Sequence, residues 1–190
     1  MSYNFAVRRS QRSKLIETFV SRRSIHKGRA VNFVVDRVRL PNRHLADREY
    51  LDHPGAVGVL PFLDKETVIM VRQYRHPVAR ITYEIPAGKL ARGEKVLSCL
   101  RRELQEETGY RARRFKRLIS YWPTPAFSNE LLHLYVADGL VPGQVSPDED
   151  EFLEVVQMPI RRALSWVFSG KIRDSKTVIA LLACSSRNRR

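Results

Sequence analysis

Three glutamates and an arginine recur at helical spacing in residues 102–109, which read Arg-Glu-Leu-Gln-Glu-Glu-Thr-Gly. At about 100° per residue, Glu103, Glu106 and Glu107 fall on one arc of a helix. The adjoining arc carries the apolar residues that must face the core: Val96, Leu97, Leu100 and Leu104. Carboxylates crowded at the edge of a buried face repel one another unless a cation neutralises them. The spacing therefore predicts a site for a hard divalent cation, Mg²⁺, or Mn²⁺ in its place.

The elements that position this helix are a strand before it and turn signals at its ends. A strand-like run covers residues 82–85, and a proline-containing turn follows at residues 86–88. Gly93 and Glu94 are expected to open the helix, with the Glu94 carboxylate in the first turn, where the helix dipole favours it. Gly109 follows the last periodic residue and acts as a stop signal. The local prediction is a strand, a loop and a helix with a metal-binding edge.

The whole stretch resembles the Nudix box, Gly-x5-Glu-x7-Arg-Glu-U-x-Glu-Glu-x-Gly-U, where U is an apolar or aromatic residue. Every fixed position matches, and these positions are Gly88, Glu94, Arg102, Glu103, Glu106, Glu107, Gly109 and Tyr110. An ordinary surface helix with Glu/Arg pairs does not produce a match over this length. Within the Nudix hydrolases, the chain from about residue 17 to 182 resembles the ADP-ribose pyrophosphatase branch. The segments that carry this finer resemblance are residues 72–75, residues 84–88, Pro125 and residues 150–155.

The resemblance implies an α+β protein with the Nudix fold, a mixed β-sheet sandwich between helices, preceded by an N-terminal antiparallel β-sheet arm. It implies Mg²⁺-dependent hydrolysis of the pyrophosphate bond of ADP-ribose to AMP and ribose 5-phosphate. Similar enzymes are homodimers in which the N-terminal sheet crosses to the partner and helps to form the nucleoside site. A small sheet of this kind is marginally stable alone, which agrees with a dimerisation role.

The same resemblance assigns roles to residues of the box and of a later acidic run. The implied metal ligands are the carboxylates of Glu103, Glu106 and Glu107 and the backbone carbonyl of Ala87. Arg102 is expected to orient a carboxylate through charge-assisted hydrogen bonds. The general base is expected from the acidic run at residues 148–151. Glu151 is the candidate there, and Glu103 is the alternative.

Six further residues are candidates for substrate contacts: Arg29, Arg48, Arg72, Arg75, Glu84 and Phe127. Arg75 and Arg72 are expected to clamp a phosphate or ribose, and Glu84 to hold a ribose hydroxyl or to support the metal site. Arg29 and Arg48 are expected to reach the nucleobase across a dimer, with Phe127 at the ribose. For each arginine, a surface salt bridge is the competing interpretation.

Composition bounds the remaining alternatives. The chain has 190 residues, of which 43% are hydrophobic and 28% charged, as in an ordinary globular protein. The predicted organisation is a flexible basic arm (1–16), a dimerisation sheet (17–53), a catalytic domain (54–184) and a basic tail (185–190). No apolar run reaches the roughly 20 residues of a membrane span, and the two cysteines predict no disulfide framework. We therefore expect a cytoplasmic protein without membrane partners.

The formal net charge of +14 is unusual, and much of it lies in the first 30 residues. Three interpretations of this charge are open. It could indicate affinity for nucleic acid, a transit peptide, or a solvated surface that attracts anionic nucleotides. The last interpretation is favoured because no nucleic-acid motif accompanies the charge, so nucleic acid is not expected as a partner.

Two rival functions stay open at this point. The first is a Nudix pyrophosphatase for another nucleotide sugar, such as GDP-mannose, or for a dinucleotide. The second is a non-catalytic Nudix protein that binds nucleic acid. The complete carboxylate set argues against the second, because a binding module does not need every metal ligand.

Overall fold

The computed structural model describes residues 14–29, 31–144 and 152–187. These residues form two compact units, which we call the first unit (through His53, with residues 124–130) and the second unit (residues 54–123 and from 131 onward). Most of the predicted basic arm, the end of the predicted tail and the predicted base Glu151 lie outside the described residues. The domain boundaries stay a prediction.

The first unit is built on a three-stranded antiparallel sheet in the order β1-β2-β3. Its strands are β1 (Thr18–Lys27), β2 (Asn32–Arg39) and β3 (Leu45–Asp52). Residue types in the N-terminal segment predict strands at residues 17–20 and 31–40, but β1 continues to Lys27. It does so because it pairs with β2 over that whole length, with bulges at Phe19/Ser21 and Ser24/His26.

A buried carboxylate ties the three strands together. Asp36 of β2 is only 7% exposed, and it accepts hydrogen bonds from Arg22 Nε at 2.7 Å and from Tyr50 Oη at 2.9 Å. Burial and the hydrogen bond to Asp36 together raise the pKa of Tyr50 to about 12. Each strand of this sheet thus contributes one polar side chain to a single paired group.

The second unit contains the remaining strands and all three helices. In chain order these elements are β4 (Ala56–Pro61), β5 (Thr67–Arg75), a 3₁₀ turn (His76–Val78), β6 (Arg80–Glu84), β7 (Ala87–Lys89), α1 (Val96–Thr108), β8 (Tyr110–Tyr121), β9 (Leu132–Pro142), β10 (Leu153–Pro159), α2 (Ile160–Phe168) and α3 (Ser175–Arg187). One sheet has the order β7-β4-β9-β8 and is mixed, because β4 and β9 run parallel. The other has the order β10-β5-β6 and is antiparallel.

Alternate residues of β4 face two separate cores. Val57 and Val59 pack in one cluster with Leu100 and Leu104 of α1. Leu60 belongs to a larger cluster that joins both sheets to α2 and α3. The four-stranded sheet therefore carries α1 on one face and α2 and α3 on the other, while strands of the antiparallel sheet contact both α1 and the other two helices. This arrangement confirms the predicted α+β class with mixed sheets and flanking helices.

Two predicted details of the helices are corrected. Helix α1 begins at Val96 after Lys95, so Glu94 lies before the helix rather than in its first turn. Leu97, which we placed on the core-facing arc, is 42% exposed. None of the helices in the described part of the chain has the length and apolar character needed to cross a membrane.

The sequence predicts a last helix that is capped by Asp174 or Ser175 and ends at Leu182; the observed α3 has the Asp174 cap and is longer. Asp174 Oδ2 accepts a hydrogen bond from the backbone N of Thr177 at 3.0 Å, which is the geometry of an N-cap. The helix was expected to end at Leu182 and instead continues to Arg187. Its extra turn includes Cys184, which is buried in the larger core cluster.

The two leucines at the start of α1 provide a test of this packing. Leu100 is 0% exposed, so Leu100→Ala is expected to lower the free energy of unfolding by about 2–5 kcal/mol through lost burial and a residual cavity. The matched substitution of the exposed neighbour, Leu97→Ala, is expected to cost under about 1 kcal/mol. Chemical denaturation of the two variants checks this, and equal losses would contradict the orientation of α1.

Candidate active site

The box carboxylates on α1 are held by the arginine that precedes them. Arg102 Nη1 lies 2.8 Å from Glu103 Oε1 and 2.9 Å from Glu106 Oε2. Glu103 and Glu107 are 8% and 4% exposed, so the helix presents two nearly buried carboxylates and a third at their rim. A guanidinium that bridges two carboxylates offsets their mutual repulsion.

Glycine at position 88 leaves room for the Glu103 carboxylate, which lies against its backbone. A Cβ built on Gly88 would overlap the carboxylate atoms of Glu103. Beside it, the backbone N of Ala87 donates a hydrogen bond to Glu107 Oε2 at 3.3 Å. The short strand β7 is thus fitted directly onto the acidic edge of α1.

Glu94 organises the loop between β7 and α1. One of its oxygens accepts a hydrogen bond from the backbone N of Ala91 at 2.9 Å, and the other from Arg102 Nε at 3.2 Å. The hydrogen bond from Arg102 outweighs burial and lowers the pKa of Glu94. Because its carboxylate closes the loop and holds Arg102, Glu94 acts before the helix begins. The helix starts two residues later than expected because the backbone of Lys95 is extended, with φ −77° and ψ 140°.

The donor chemistry of this edge fits a hard divalent cation, since it offers glutamate oxygens beside backbone carbonyls. With the side chains in their present positions, no three acidic, histidine or cysteine groups of the described residues are close enough together to hold a metal ion. The Arg102 guanidinium lies between two of the three box carboxylates. It uses Oε1 of Glu103 and Oε2 of Glu106, one oxygen of each.

A second buried carboxylate lies at the end of β6. Glu84 is 2% exposed, and it accepts hydrogen bonds from Arg75 Nε at 2.8 Å, Arg75 Nη2 at 2.7 Å and Thr82 Oγ1 at 2.6 Å. Lys176 Nζ also donates to it. Burial opposes the charged form, but the hydrogen bonds of Arg75 and the charge of Lys176 prevail and lower the pKa of Glu84 to about 2.

This cluster lies next to the box. The pKa of Arg75 is raised, first by its hydrogen bonds to Glu84 and further by the negative charges of Asp174 and Glu107. We expected Glu84 to hold a ribose hydroxyl or to support the metal site. Its oxygens accept hydrogen bonds from Arg75, Thr82 and Lys176, and its predicted contact with the ribose or the metal site stays a prediction.

Arg72 does not join this group. On β5 it alternates with Gln73 and Arg75, and it pairs across the strands with Tyr83, whereas Gln73 pairs with Thr82. Its side chain therefore projects from the opposite face of the sheet, where Nη1 contacts Glu154 Oε2 at 2.6 Å. Arg72 thus forms the salt bridge of the competing interpretation, and its predicted contact with the substrate stays a prediction.

Three predicted substrate residues belong to the first unit. Arg48 on β3 donates from Nε to Glu17 Oε2 at 2.9 Å. Phe127 is 56% exposed, and its carbonyl accepts a hydrogen bond from the backbone N of Leu51. Arg29 follows β1. Their predicted contacts with substrate stay predictions, as does the role of Glu151.

Sequence reasoning missed the contribution of α3. Lys176 reaches Glu84 from a position 92 residues further along the chain. Thr177 Oγ1 accepts a hydrogen bond from the backbone N of Ile85 at 2.9 Å. The Asp174 cap was visible in the sequence, but no local signal indicated that the following residues meet the strand before the box.

The sequence pattern of the NUDIX domain matches residues 52–180, which include both clusters. The chain belongs to the NUDIX family. A methanol dehydrogenase activator of Bacillus methanolicus is 42% identical over 87% of this chain and 90% of its own length. An ADP-ribose pyrophosphatase of Bacillus subtilis is 38% identical over 88% of this chain and 91% of its own length.

The fold agrees with that of a solved structure. A crystal structure described as an ADP compounds hydrolase superposes on this chain with a TM-score of 0.80. The superposition covers 94% of this chain and 97% of that chain, and the two sequences are 21% identical. The prediction of a Nudix hydrolase from the box residues is confirmed, as is the fold class. Nudix hydrolases in general use divalent metal ions, which agrees with the donor set on α1.

The contact between Gly88 and Glu103 can be tested without an activity assay. Gly88→Ala is expected to lower the melting temperature, because the added methyl group overlaps the Glu103 carboxylate. The double variant Gly88→Ala/Glu103→Ala should recover much of that loss, since the truncated side chain leaves room for the methyl group.

Thermal unfolding of wild type, both single variants and the double variant completes a double-mutant cycle. Strictly additive changes in the cycle would contradict direct contact between the two positions.

Proposed function

We propose that this NUDIX protein hydrolyses the pyrophosphate bond of ADP-ribose in the presence of Mg²⁺, giving AMP and ribose 5-phosphate. The observation that carries the proposal is the acidic edge of α1, where Glu103 lies against Gly88 and Glu107 accepts a hydrogen bond from the backbone N of Ala87. Similarity to ADP-ribose pyrophosphatases over most of the chain supports the substrate.

The metal would be held by the carboxylates of Glu103, Glu106 and Glu107 and by the carbonyl of Ala87. When bound, a divalent cation neutralises charge on a diphosphate and lowers the pKa of water. Arg102 keeps two of these carboxylates in place, and Gly88 allows Glu103 to approach β7. Mg²⁺ is proposed because these are hard oxygen donors, with Mn²⁺ as a substitute.

Arg75 is the proposed diphosphate contact of the second unit. Its Nε and Nη2 are fixed by the two oxygens of Glu84, at 2.8 and 2.7 Å. The Arg75 side chain is nevertheless 46% exposed, against 2% for Glu84. A guanidinium that is fixed by a carboxylate on one side and exposed to solvent on the other is suited to bind an anionic oxygen.

Glu151 is proposed as the general base, with Glu103 as the alternative. The Glu103 carboxylate already contacts Arg102 and lies against Gly88. Because of these contacts, Glu103 is less suited to proton transfer than an acid in the run of residues 148–151. The proposed base is therefore separate from the proposed metal ligands.

We further propose a cytoplasmic homodimer that forms through the N-terminal sheet. All ten residues of β1 are exposed, among them Phe19 at 59% and Ile25 at 46%. An exposed edge strand with apolar side chains favours pairing with another chain. Sedimentation equilibrium that detects only monomer would contradict this arrangement.

Two other functions have specific support. GDP-mannose pyrophosphatases are among the relatives, so a different nucleotide sugar is the nearest alternative. The 42% identity to a methanol dehydrogenase activator supports activation of a dehydrogenase as a second candidate. Nucleic acid is not part of the proposal.

The reaction is tested by product analysis with Glu103→Gln. Wild type and variant are incubated with Mg²⁺ and a panel of ADP-ribose, GDP-mannose, ADP-glucose, NADH and diadenosine polyphosphates. We expect AMP to appear fastest from ADP-ribose, and the variant to lose about 10²-fold or more in kcat because a metal ligand is weakened. Glu66→Gln, on an exposed turn of the second unit, is the matched control and should keep wild-type activity.

Each outcome of the panel has a distinct meaning. Faster turnover of another diphosphate would replace the proposed substrate. Wild-type activity in Glu103→Gln would overturn the metal assignment. The activator function is tested in a separate assay with a purified methanol dehydrogenase. Stimulation of that enzyme by wild type and by Glu103→Gln alike would favour activation without hydrolysis.

The base is tested separately with Glu151→Gln. Loss of a general base is expected to lower kcat by about 10²–10⁴-fold, with the melting temperature unchanged. Glu149→Gln in the same acidic run is the matched control. A near-wild-type rate for Glu151→Gln would transfer the role to Glu103 or to another acid.

A further inference from the structure

The second residue of helix α3, Lys176, has no role in the chemistry proposed above. The Lys176 side chain is only 12% exposed, and Nζ donates hydrogen bonds to Glu84 and, at 2.9 Å, to Asp174 Oδ1. Removing an ammonium group from water is costly unless anions compensate it. Burial opposes its charge, but Asp174 and Glu84 outweigh burial and raise the pKa of Lys176, so it is charged at neutral pH.

Glu84 is shared by two cations that differ in their access to solvent. Arg75 binds both of its oxygens, and Lys176 binds Oε2 as well. The Arg75 side chain is 46% exposed, whereas that of Lys176 is 12% exposed. A ligand from solvent can therefore meet Arg75, while Lys176 acts on that ligand only through the shared carboxylate.

The charges of this cluster are balanced only when the lysine is present. Arg75 and Lys176 supply two positive charges against the two negative charges of Glu84 and Asp174. Without Lys176, one guanidinium would face two carboxylates, and the cluster would carry one net negative charge. An anionic diphosphate that approaches Arg75 would then be attracted less strongly.

The same turn of α3 is joined to the loop that enters the box. Thr177 Oγ1 donates to Asp174 Oδ2 at 2.6 Å and accepts from the backbone N of Ile85 at 2.9 Å. Ile85 directly precedes the turn that delivers Ala87 to the box. The start of α3 thus fixes both the partner of Arg75 and the strand end beside it.

We propose that Lys176 is a positioning residue for the substrate, which shares Glu84 with Arg75 and so keeps the Arg75 guanidinium oriented and able to attract a nucleoside diphosphate. This inference rests on the proposed function, because it takes the substrate diphosphate as the ligand of Arg75. Lys176 itself is not expected to touch the substrate.

The experiment compares Lys176→Met with Lys176→Arg in the full-length protein. Lys176→Met is expected to raise KM for ADP-ribose about tenfold or more while kcat changes less than about threefold, since substrate attraction is lost and the box is intact. Lys176→Arg keeps the charge and should stay close to the wild-type KM. Lys171→Met is the matched control, because Lys171 Nζ lies over the Trp166 ring, 3.6 Å from its centroid, and has no contact with Glu84 among the described residues.

A binding measurement separates attraction of substrate from turnover. The dissociation constant of ADP-ribose is measured by calorimetry for Glu103→Gln and for Glu103→Gln/Lys176→Met, with and without Mg²⁺. We expect the second protein to bind at least about tenfold more weakly in both buffers. If Lys176→Met fails to fold, Lys176→Gln replaces it, because glutamine still donates a hydrogen bond but carries no charge.

The outcomes distinguish this inference from the proposed function. Wild-type turnover of ADP-ribose with an unchanged KM in the uncharged variants overturns the inference alone. A fall in kcat and melting temperature without a rise in KM also overturns it, since that result describes a purely structural lysine. If the wild type prefers another diphosphate of the panel, the same comparison is made with that compound. Absence of any turnover or binding by the wild type overturns both.

Discussion

The second unit depends on compensation of buried negative charge. Glu84, Glu103 and Glu107 are 2%, 8% and 4% exposed, and carboxylates this far from water are stable only with cations and hydrogen-bond donors around them. Arg102 serves the box on α1, whereas Arg75 and Lys176 serve Glu84. Gly88 is part of the same solution, because any side chain there would displace the Glu103 carboxylate.

The fold brings these partners together from distant elements. Helix α1 packs on one face of the four-stranded sheet through Leu100 and Leu104, and α3 packs on the other through Leu181. The strand ends between the two helices then carry Glu84 and Ala87. Packing of apolar faces on both sides of one sheet thus sets the positions of the charges.

Arg102 and Arg75 have different roles in the proposed reaction. Arg102 is occupied by Glu94, Glu103 and Glu106 and holds carboxylates in place. Arg75 is fixed by Glu84 and remains partly exposed, so it is suited to bind the substrate.

The sequence by itself determined the family, the box helix and the acidic edge, because helix periodicity and turn residues act over short distances along the chain. It also indicated the Asp174 cap and placed Arg75 and Glu84 as candidates. Only the tertiary structure showed that Arg72 projects from the opposite sheet face, that Leu97 is exposed and that Glu94 lies before the helix. Only the tertiary structure revealed that Lys176 meets Glu84 across 92 residues. Which charges neutralise one another depends on how distant elements pack, and no local spacing encodes that.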